Sequence, residues 1–451
     1  MMQHLIKLYM NLSASFWFVP AVMMLLAAAA ALGSTALDQA LGSAWVNDIG
    51  WVWSGGADGA RSVLSTVAGS LMTVVSVVFS LTITTLAQTS SHFGPRVLRN
   101  FIADRGNQLV LGTFVATFLY CLLVLRTIRS VQEQTFVPYL SVNLGLALTV
   151  ASLAVLIYFI HHLSQSIQAE QLIAGIGKDF EQSLPMLFPE QLGHPDANDA
   201  DRAWLTPERW AHAWAVCAET SGYIQHVDEQ RLMSLASGGQ LLLRLTRRPG
   251  DFVSRGAPLL HGLPGTEPET GLEEQLCACF VLGRQRTPYQ DASFYLQQLI
   301  EIALRALSPG INEPYTALCC IDWLGACLRG MAGRPLPSPM RRDVSGQLCV
   351  IAPAPGFDEL ARSTLGPLRL AGAGNPDVVV HLLQTLAGLA PALQREADRR
   401  AIHEQARLLG QAAADRLSGA ERDRIEPSLR ETLGILSATK PVANHNPDRY
   451  I

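Results

Sequence analysis

Residues 62–95 read SVLSTVAGSLMTVVSVVFSLTITTLAQTSSHFGP and contain no Lys, Arg, Asp or Glu. The hydrocarbon core of a bilayer is about 30 Å thick and requires about 20 apolar residues in a helix. Residues 63–87 meet this requirement within the uncharged stretch. We therefore predict that residues 63–87 form a membrane-spanning helix.

Three further apolar runs are long enough to span a membrane, at residues 16–33, 109–125 and 140–160. Residues 1–164 carry only 12 charged side chains, although the whole chain has 34 Lys and Arg and 38 Asp and Glu. The chain is therefore two chemically different parts. We predict an α-helical integral membrane domain of four spans at residues 1–164 and a cytoplasmic α+β domain at residues 165–451.

The charges between the spans predict the orientation. The loop at 34–62, which includes Asp38, has three Asp and one Arg, whereas the loop at 88–108 has three Arg and one Asp. Because basic loops favour the cytoplasmic side, both termini are expected in the cytoplasm. Arg126 and Arg129 oppose this assignment, since they fall in a predicted outer loop. The excess of 31 Arg over 3 Lys favours a GC-rich bacterial genome.

A stripe of hydroxyl side chains follows one face of the predicted second span. It consists of Thr66, Ser70, Thr73, Ser80 and Thr84, and Val77 is its one apolar interruption. Counted from Thr66, these positions lie at +4, +7, +14 and +18, with Val77 at +11. This spacing places all six on one helix face. Such a face suits a water-filled pore with Val77 as its narrow gate, but hydroxyl residues also pack membrane helices together, and both interpretations stay open.

The polar half combines helices with a strand-rich block at about 222–262. Arg248-Pro-Gly-Asp251, followed by Gly256, resembles a hairpin of the small sandwich barrel found in biotinyl and lipoyl carriers. Those carriers modify a lysine, whereas residues 179–439 contain none. A barrel here is therefore expected to be structural.

Two motifs resemble a known family. One is RSVLSTVAGS at 61–70, continued by TSSHFGPRVLRNF at 89–101, and the other is IALRALSPGINEPYTA at 302–317. Together they resemble the bacterial predicted-membrane-protein family catalogued as domain-of-unknown-function family 2254, across essentially the whole chain. The resemblance implies several inner-membrane spans and a cytoplasmic C-terminal region. It implies no activity and assigns no role to any residue.

Several function classes find no support in the sequence. The chain contains no P-loop, HExxH, GxSxG or GxGxxG motif, so we expect no enzyme and no cofactor. The net charge of −4 argues against nucleic acid as a partner. No CxxC motif exists, so we expect no metal site and interpret the eight cysteines as reduced thiols. Asn312 and Glu313 are weak ligand-binding candidates between two helix ends, and the alternative is a rigid helix–turn–helix joint.

These features favour an oligomeric membrane channel for small ions. The second span would line the pore, and the cytoplasmic domain would regulate it. The expected partners are the lipid bilayer, further copies of the chain and small ions. The alternative is a non-conducting membrane scaffold or sensor whose cytoplasmic domain binds a partner.

Overall fold

The chain forms two compact units, Met1–Gln171 and Leu172–Ile451. The computed structural model describes residues 17–41, 55–97, 104–131, 134–166, 168–187, 206–264, 271–335 and 338–438.

Among the described residues, four helices are long and apolar enough to cross a membrane. They are α1 (Phe18–Leu41), α2 (Ala57–Phe93), α3 (Arg105–Thr127) and α4 (Tyr139–Ser166). These helices confirm the four predicted apolar segments, although the predicted start of the first, at residue 16, lies outside the described residues. The strands β1 (Arg129–Val131) and β2 (Gln134–Phe136) form an antiparallel hairpin between α3 and α4.

Helix α2 is much longer than its predicted apolar run. Its 37 residues extend about 55 Å at about 1.5 Å per residue, against about 30 Å for the hydrocarbon core. The additional turns contain the charged residues Asp58 and Arg61 before the apolar run, and Gln, Ser, Thr and His after it. The loops predicted on either side of this span are correspondingly shorter.

Helix α3 is the centre of the membrane unit and packs against α1, α2 and α4. Leu64 of α2 belongs to the same buried cluster as Tyr120 and Val124 of α3. Val78 of α2 belongs to a second cluster, with Phe114 of α3. One face of α2 is therefore buried along much of its length, which leaves the opposite face outside the packed unit.

The C-terminal unit contains two sheets. Its strands are β3 (Trp214–Cys217), β4 (Gly222–Val227), β5 (Leu242–Leu245), β6 (Phe252–Val253), β7 (Pro258–Leu263), β8 (Phe280–Gly283), β9 (Met340–Arg342) and β10 (Leu348–Ile351). The five-stranded sheet has the order β3-β7-β5-β10-β9, and the three-stranded sheet has the order β6-β4-β8. Leu243 of the larger sheet and Ile224 of the smaller sheet lie in one buried cluster. The two sheets therefore share a core, as expected for the predicted α+β class.

The structure does not show the suggested biotinyl- or lipoyl-like barrel. A helix at Glu229–Gly238 separates β4 from β5, and these two strands belong to different sheets. Strand β10, which comes from far outside the block at 222–262, pairs in parallel with β5. The strands are therefore arranged as two open sheets within the described residues.

The described part of the C-terminal unit also contains helices. They are α5 (Ala169–Leu187), α6 (Glu229–Gly238), α7 (Leu272–Cys277), α8 (Ser293–Ala306), α9 (Pro314–Ala332), α10 (Phe357–Gly372), α11 (Pro376–Leu389), α12 (Glu396–Arg416) and α13 (Ala420–Ala438). Helix α8 packs against α9, and α11 packs against α13. The joint between α8 and α9 holds the two candidate ligand residues of this unit.

Candidate functional site

The hydroxyl stripe lies on the outward face of α2. Thr66, Ser70, Thr73, Val77, Ser80 and Thr84 are all exposed. At about 100° per residue they fall within about 40° on either side of Thr66. The residues that α2 buries against its neighbours, such as Leu64, Leu71 and Val78, fall on the opposite side of the helix. The six predicted positions therefore share one face of α2, and this face lies outside the packed core of the membrane unit.

The polar face is longer than the sequence predicts. Ser62, Gln88 and Ser91 are also exposed and continue the same spacing at both ends of α2. The face then runs from Ser62 to Ser91, about 44 Å along the helix axis. These three residues were missed because they lie outside the apolar run from which the span was inferred. The same three- and four-residue spacing would have identified them if the helix had been extended.

The stripe hydroxyls donate hydrogen bonds to their own helix. Ser70 Oγ donates to Val67 O at 3.0 Å, and Thr84 Oγ1 donates to Ser80 O at 2.9 Å. Thr73 Oγ1 donates to Gly69 O at 3.3 Å. Because a hydroxyl oxygen has two acceptor lone pairs, each oxygen still has lone pairs to offer outward. The face therefore presents a row of uncharged acceptors suited to water and partly hydrated cations.

The exposed faces of α1 and α4 differ in chemistry from this face. Leu26 of α1 is 64% exposed, and Val150 and Ile157 of α4 are 70% and 66% exposed. Large apolar side chains of this kind suit contact with lipid tails. On α2 such residues, including Ile83, flank the stripe instead of interrupting it. Only Val77, which is 54% exposed near the middle of the helix, places an apolar side chain on the stripe itself.

Asp38 does not lie in an outer loop as predicted. It belongs to the last turns of α1 and is buried. Its carboxylate accepts hydrogen bonds from the backbone N–H groups of Leu140 at 2.8 Å and Ser141 at 2.9 Å. It also accepts from Ser141 Oγ at 2.6 Å. Because free N–H groups and a positive dipole end mark the start of a helix, this carboxylate caps α4 and fastens α1 to it.

A hydroxyl network adjoins this cap. Ser34 Oγ lies 2.9 Å from Ser141 Oγ and 3.0 Å from Tyr120 OH. Tyr120 OH also donates to Ser141 O at 3.0 Å. The network joins α1, α3 and α4 at one end of the membrane unit. No local sequence pattern predicts this network, because its members are separated by 21 to 107 positions.

An acidic and a basic side chain meet at the other end of the unit. Asp104 Oδ1 accepts from the Gly106 N–H at 2.8 Å and so caps α3. Asp104 Oδ2 lies 2.5 Å from His162 Nε2 of α4. Gly106 permits this approach, because a Cβ there would lie 2.7 Å from His162 Nε2. The pair links α3 to α4 and lies on a different part of the unit from the stripe.

Asn312 and Glu313 lie in the exposed joint between α8 and α9. Asn312 has a φ of +50°, and the N–H of Glu313 donates to Ala306 O at 2.8 Å. These features describe a tight turn between two helices, and the residues belong to a different unit from the stripe. A ligand at this joint remains a prediction.

Two buried cysteines of the C-terminal unit have the environment of protonated thiols. Burial raises the pKa of Cys279 to about 11 and that of Cys327 to about 12. Because the thiolate is the form that binds metals, these side chains are poor ligands at neutral pH. Within the described ranges, no group of three or more His, Cys, Asp or Glu side chains is arranged to hold a metal ion.

The four helices and the C-terminal unit together define a multi-span membrane protein with an α+β region. The chain belongs to the predicted membrane protein family DUF2254, which matches residues 13–388. It is similar to uncharacterized proteins of Mycobacterium bovis and Mycobacterium tuberculosis strain H37Rv, each 36% identical over 365 residues. Each alignment covers 78% of this chain and 68% of the relative. No solved structure gives a significant match.

Proposed function

We propose that the protein is an oligomeric membrane channel for small ions, with the polar face of α2 lining the pore. The observation that carries this proposal is the exposed row of hydroxyl and amide side chains, interrupted only by Val77, along a helix of membrane-spanning length. Lipid tails offer no donor to the remaining lone pairs of these oxygens. A water-filled passage offers such donors along the whole face.

The position of the face favours assembly. It lies on the outside of a single subunit, opposite the buried residues of α2. In a closed ring of subunits, equivalent faces meet around the symmetry axis. Gly69 of α2 helps such an approach, because its Cβ position has no atom within 4 Å. The C-terminal unit would then regulate a pore that no single subunit contains.

The proposed location is the bacterial inner membrane, with both termini in the cytoplasm. The basic residues at 96–105 support this orientation, since basic loops are retained on the cytoplasmic side. The hairpin β1–β2 and the Asp38 cap would then lie toward the outer surface.

Thiol accessibility tests the pore face. In a chain whose eight cysteines are replaced, we expect Ser70→Cys, Thr73→Cys and Ser80→Cys to react with a membrane-impermeant, water-soluble thiol reagent. The matched controls are Leu26→Cys and Val150→Cys, which are also exposed but lie on apolar faces. These should stay unmodified, because the thiolate is the reactive form and hydrocarbon disfavours it. Equal protection of all five positions would remove the pore assignment and leave the hydroxyls as packing contacts.

Reporter fusions test the orientation. A cytoplasm-active fluorescent reporter fused after Ile451 should be active, and a periplasm-active phosphatase at the same place should be inactive. The reason is the charge asymmetry between the two loops that flank α2. An active phosphatase would contradict either the number of spans or their direction.

A non-conducting scaffold or sensor is the second candidate. Tyr315, at the start of α9 beside Asn312 and Glu313, is 84% exposed, and Ile311 is 38% exposed. An exposed aromatic and an exposed aliphatic side chain together favour a partner-binding surface. Reconstitution in a planar bilayer separates the two functions. Ohmic single-channel steps support the channel, and silence across ions and voltages supports the scaffold.

A further inference from the structure

A crevice of about 740 Å³ lies between α1 and α4. Ala30, Gly33 and Leu37 form the α1 wall, and Leu144 and Ala147 contribute to the α4 wall. Ser34 and Asn143 are the polar residues of the lining. Ser34 and Asn143 lie within the slot, and Leu37 and Leu140 line its end beside the Asp38 cap. The crevice is thus a largely apolar slot, and its polar end is the one that adjoins this cap.

Hydrogen bonds fix the spacing of the crevice walls. At its polar end, the hydrogen bonds from Leu140 and Ser141 to Asp38 fix α1 against the start of α4. Ser34, which lines the crevice, is hydrogen-bonded to Tyr120 of α3 and to Ser141 of α4. The Cβ position of Gly33 has no atom within 4 Å, so the α1 wall leaves open space. Because three helices are tied together beside it, the crevice does not close by sliding α1 onto α4.

The surroundings decide what fills this space. Leu37 and Leu144 are 53% and 38% exposed, and both belong to helices of membrane-spanning length. An apolar crevice that opens sideways into a bilayer excludes water, and an empty one loses the van der Waals contacts of its lining. Its volume falls within the range of about 300–1,000 Å³ that is typical of small-molecule sites. A flexible hydrocarbon chain matches this volume, shape and chemistry.

We propose that the crevice is a binding site for one acyl chain of a bilayer phospholipid. The chain lies along Gly33, Leu144 and Ala147, and the glycerol end of the lipid lies at the end of the crevice lined by Leu37 and Leu140, beside the Asp38 cap. The bound lipid completes the packing of α1 on α4. This site is independent of conduction by the α2 face, since it lies between two other helices.

Native mass spectrometry of the full-length protein tests the site. The protein is purified in a mild detergent with phosphatidylglycerol and phosphatidylethanolamine added. We expect the wild-type chain to retain one tightly held phospholipid per subunit. Ala30→Leu and Ala147→Leu fill the crevice from opposite walls and should remove this lipid. Ala36→Leu is the matched control, because Ala36 is exposed on α1 but does not line the crevice.

The outcomes separate the ligand sources. Loss of one phospholipid in both filling variants, with retention in the control, supports the proposal. Equal retention of phospholipid in all three variants overturns the proposal. A wild-type spectrum in which the bound mass is that of detergent, with no phospholipid, also overturns it. Thermal unfolding provides a second measurement. Added phospholipid should raise the midpoint of the wild-type chain and of Ala36→Leu, and should leave the midpoint of the filled variants unchanged.

Discussion

Replacing Val77 with asparagine should raise the leak conductance of the reconstituted protein by tenfold or more. Val77 is the apolar side chain in the middle of an otherwise polar face. In a symmetric assembly the equivalent valines would form an apolar ring, and a narrow apolar ring resists wetting. An asparagine amide hydrogen-bonds water at the same depth. Each ~1.4 kcal/mol removed from the barrier to ion passage raises the flux about tenfold. Single-channel recording in planar bilayers measures the change.

The control for this experiment is Val150→Asn. Val150 is 70% exposed on α4, more than Val77, but lies on an apolar face. It introduces the same amide at an exposed membrane position, so general disturbance of the bilayer affects both variants. A rise in conductance only for Val77→Asn supports the gate. An equal rise in both variants, or unchanged conductance in Val77→Asn, contradicts it.

The membrane spans follow directly from the sequence, whereas their ends do not. Four uncharged runs of about 20 residues have few alternatives to a membrane helix. Hydropathy does not locate the end of a helix at neutral polar residues such as Ser62 and Ser91, because these residues occur in both loops and helices. The structure extends α2 through both. Ser62, Gln88 and Ser91 can therefore be assigned to the polar face only from the full length of α2 in the structure.

Long-range pairing explains most of the remaining differences between the predicted and the observed fold of the C-terminal unit. The pairing of β5 with β10 joins Leu243 to Val350, which no local pattern predicts. The turn at 248–251 was recognised, but the sheets in which its strands pair depend on residues a hundred positions away. Asn312 illustrates the opposite case. A joint between two helices was foreseeable from Ser308-Pro-Gly310 and Pro314, because glycine and proline end helices locally.

The buried state of Asp38 was not readable from its neighbours. The segment 34–62 contains three Asp and one Arg, and this charge pattern predicted that Asp38 is a loop residue exposed to water. Its partners are the N–H groups of Leu140 and Ser141, more than 100 positions away. Only the packing of α1 beside the start of α4 brings these groups together. The charge pattern therefore located Asp38 near a membrane surface and missed its structural role.

Asp38→Ala should destabilise the membrane unit by about 3 kcal/mol or more. The substitution leaves two backbone N–H groups at the start of α4 without their acceptor, in a buried site where a lost partner is costly. It also removes the carboxylate from the positive end of the helix dipole. Asp38→Asn keeps one acceptor oxygen but presents an NH2 group to a second donor, so it should also be destabilising. Ser141→Ala removes the hydroxyl alone and should cost about 1 kcal/mol.

Thermal unfolding of the purified full-length protein measures these losses. Asp58→Ala is the control, because the Asp58 side chain is 93% exposed and its ion pair with Arg61 spans 3.6 Å. Exposed pairs of this kind contribute about 1 kcal/mol or less. The expected order of midpoints is wild type and Asp58→Ala highest, then Ser141→Ala, with Asp38→Ala lowest. A midpoint for Asp38→Ala equal to that of Asp58→Ala would mean that the carboxylate does not hold α1 against α4. The polar end of the lipid crevice would then lack the tie on which its fixed width depends.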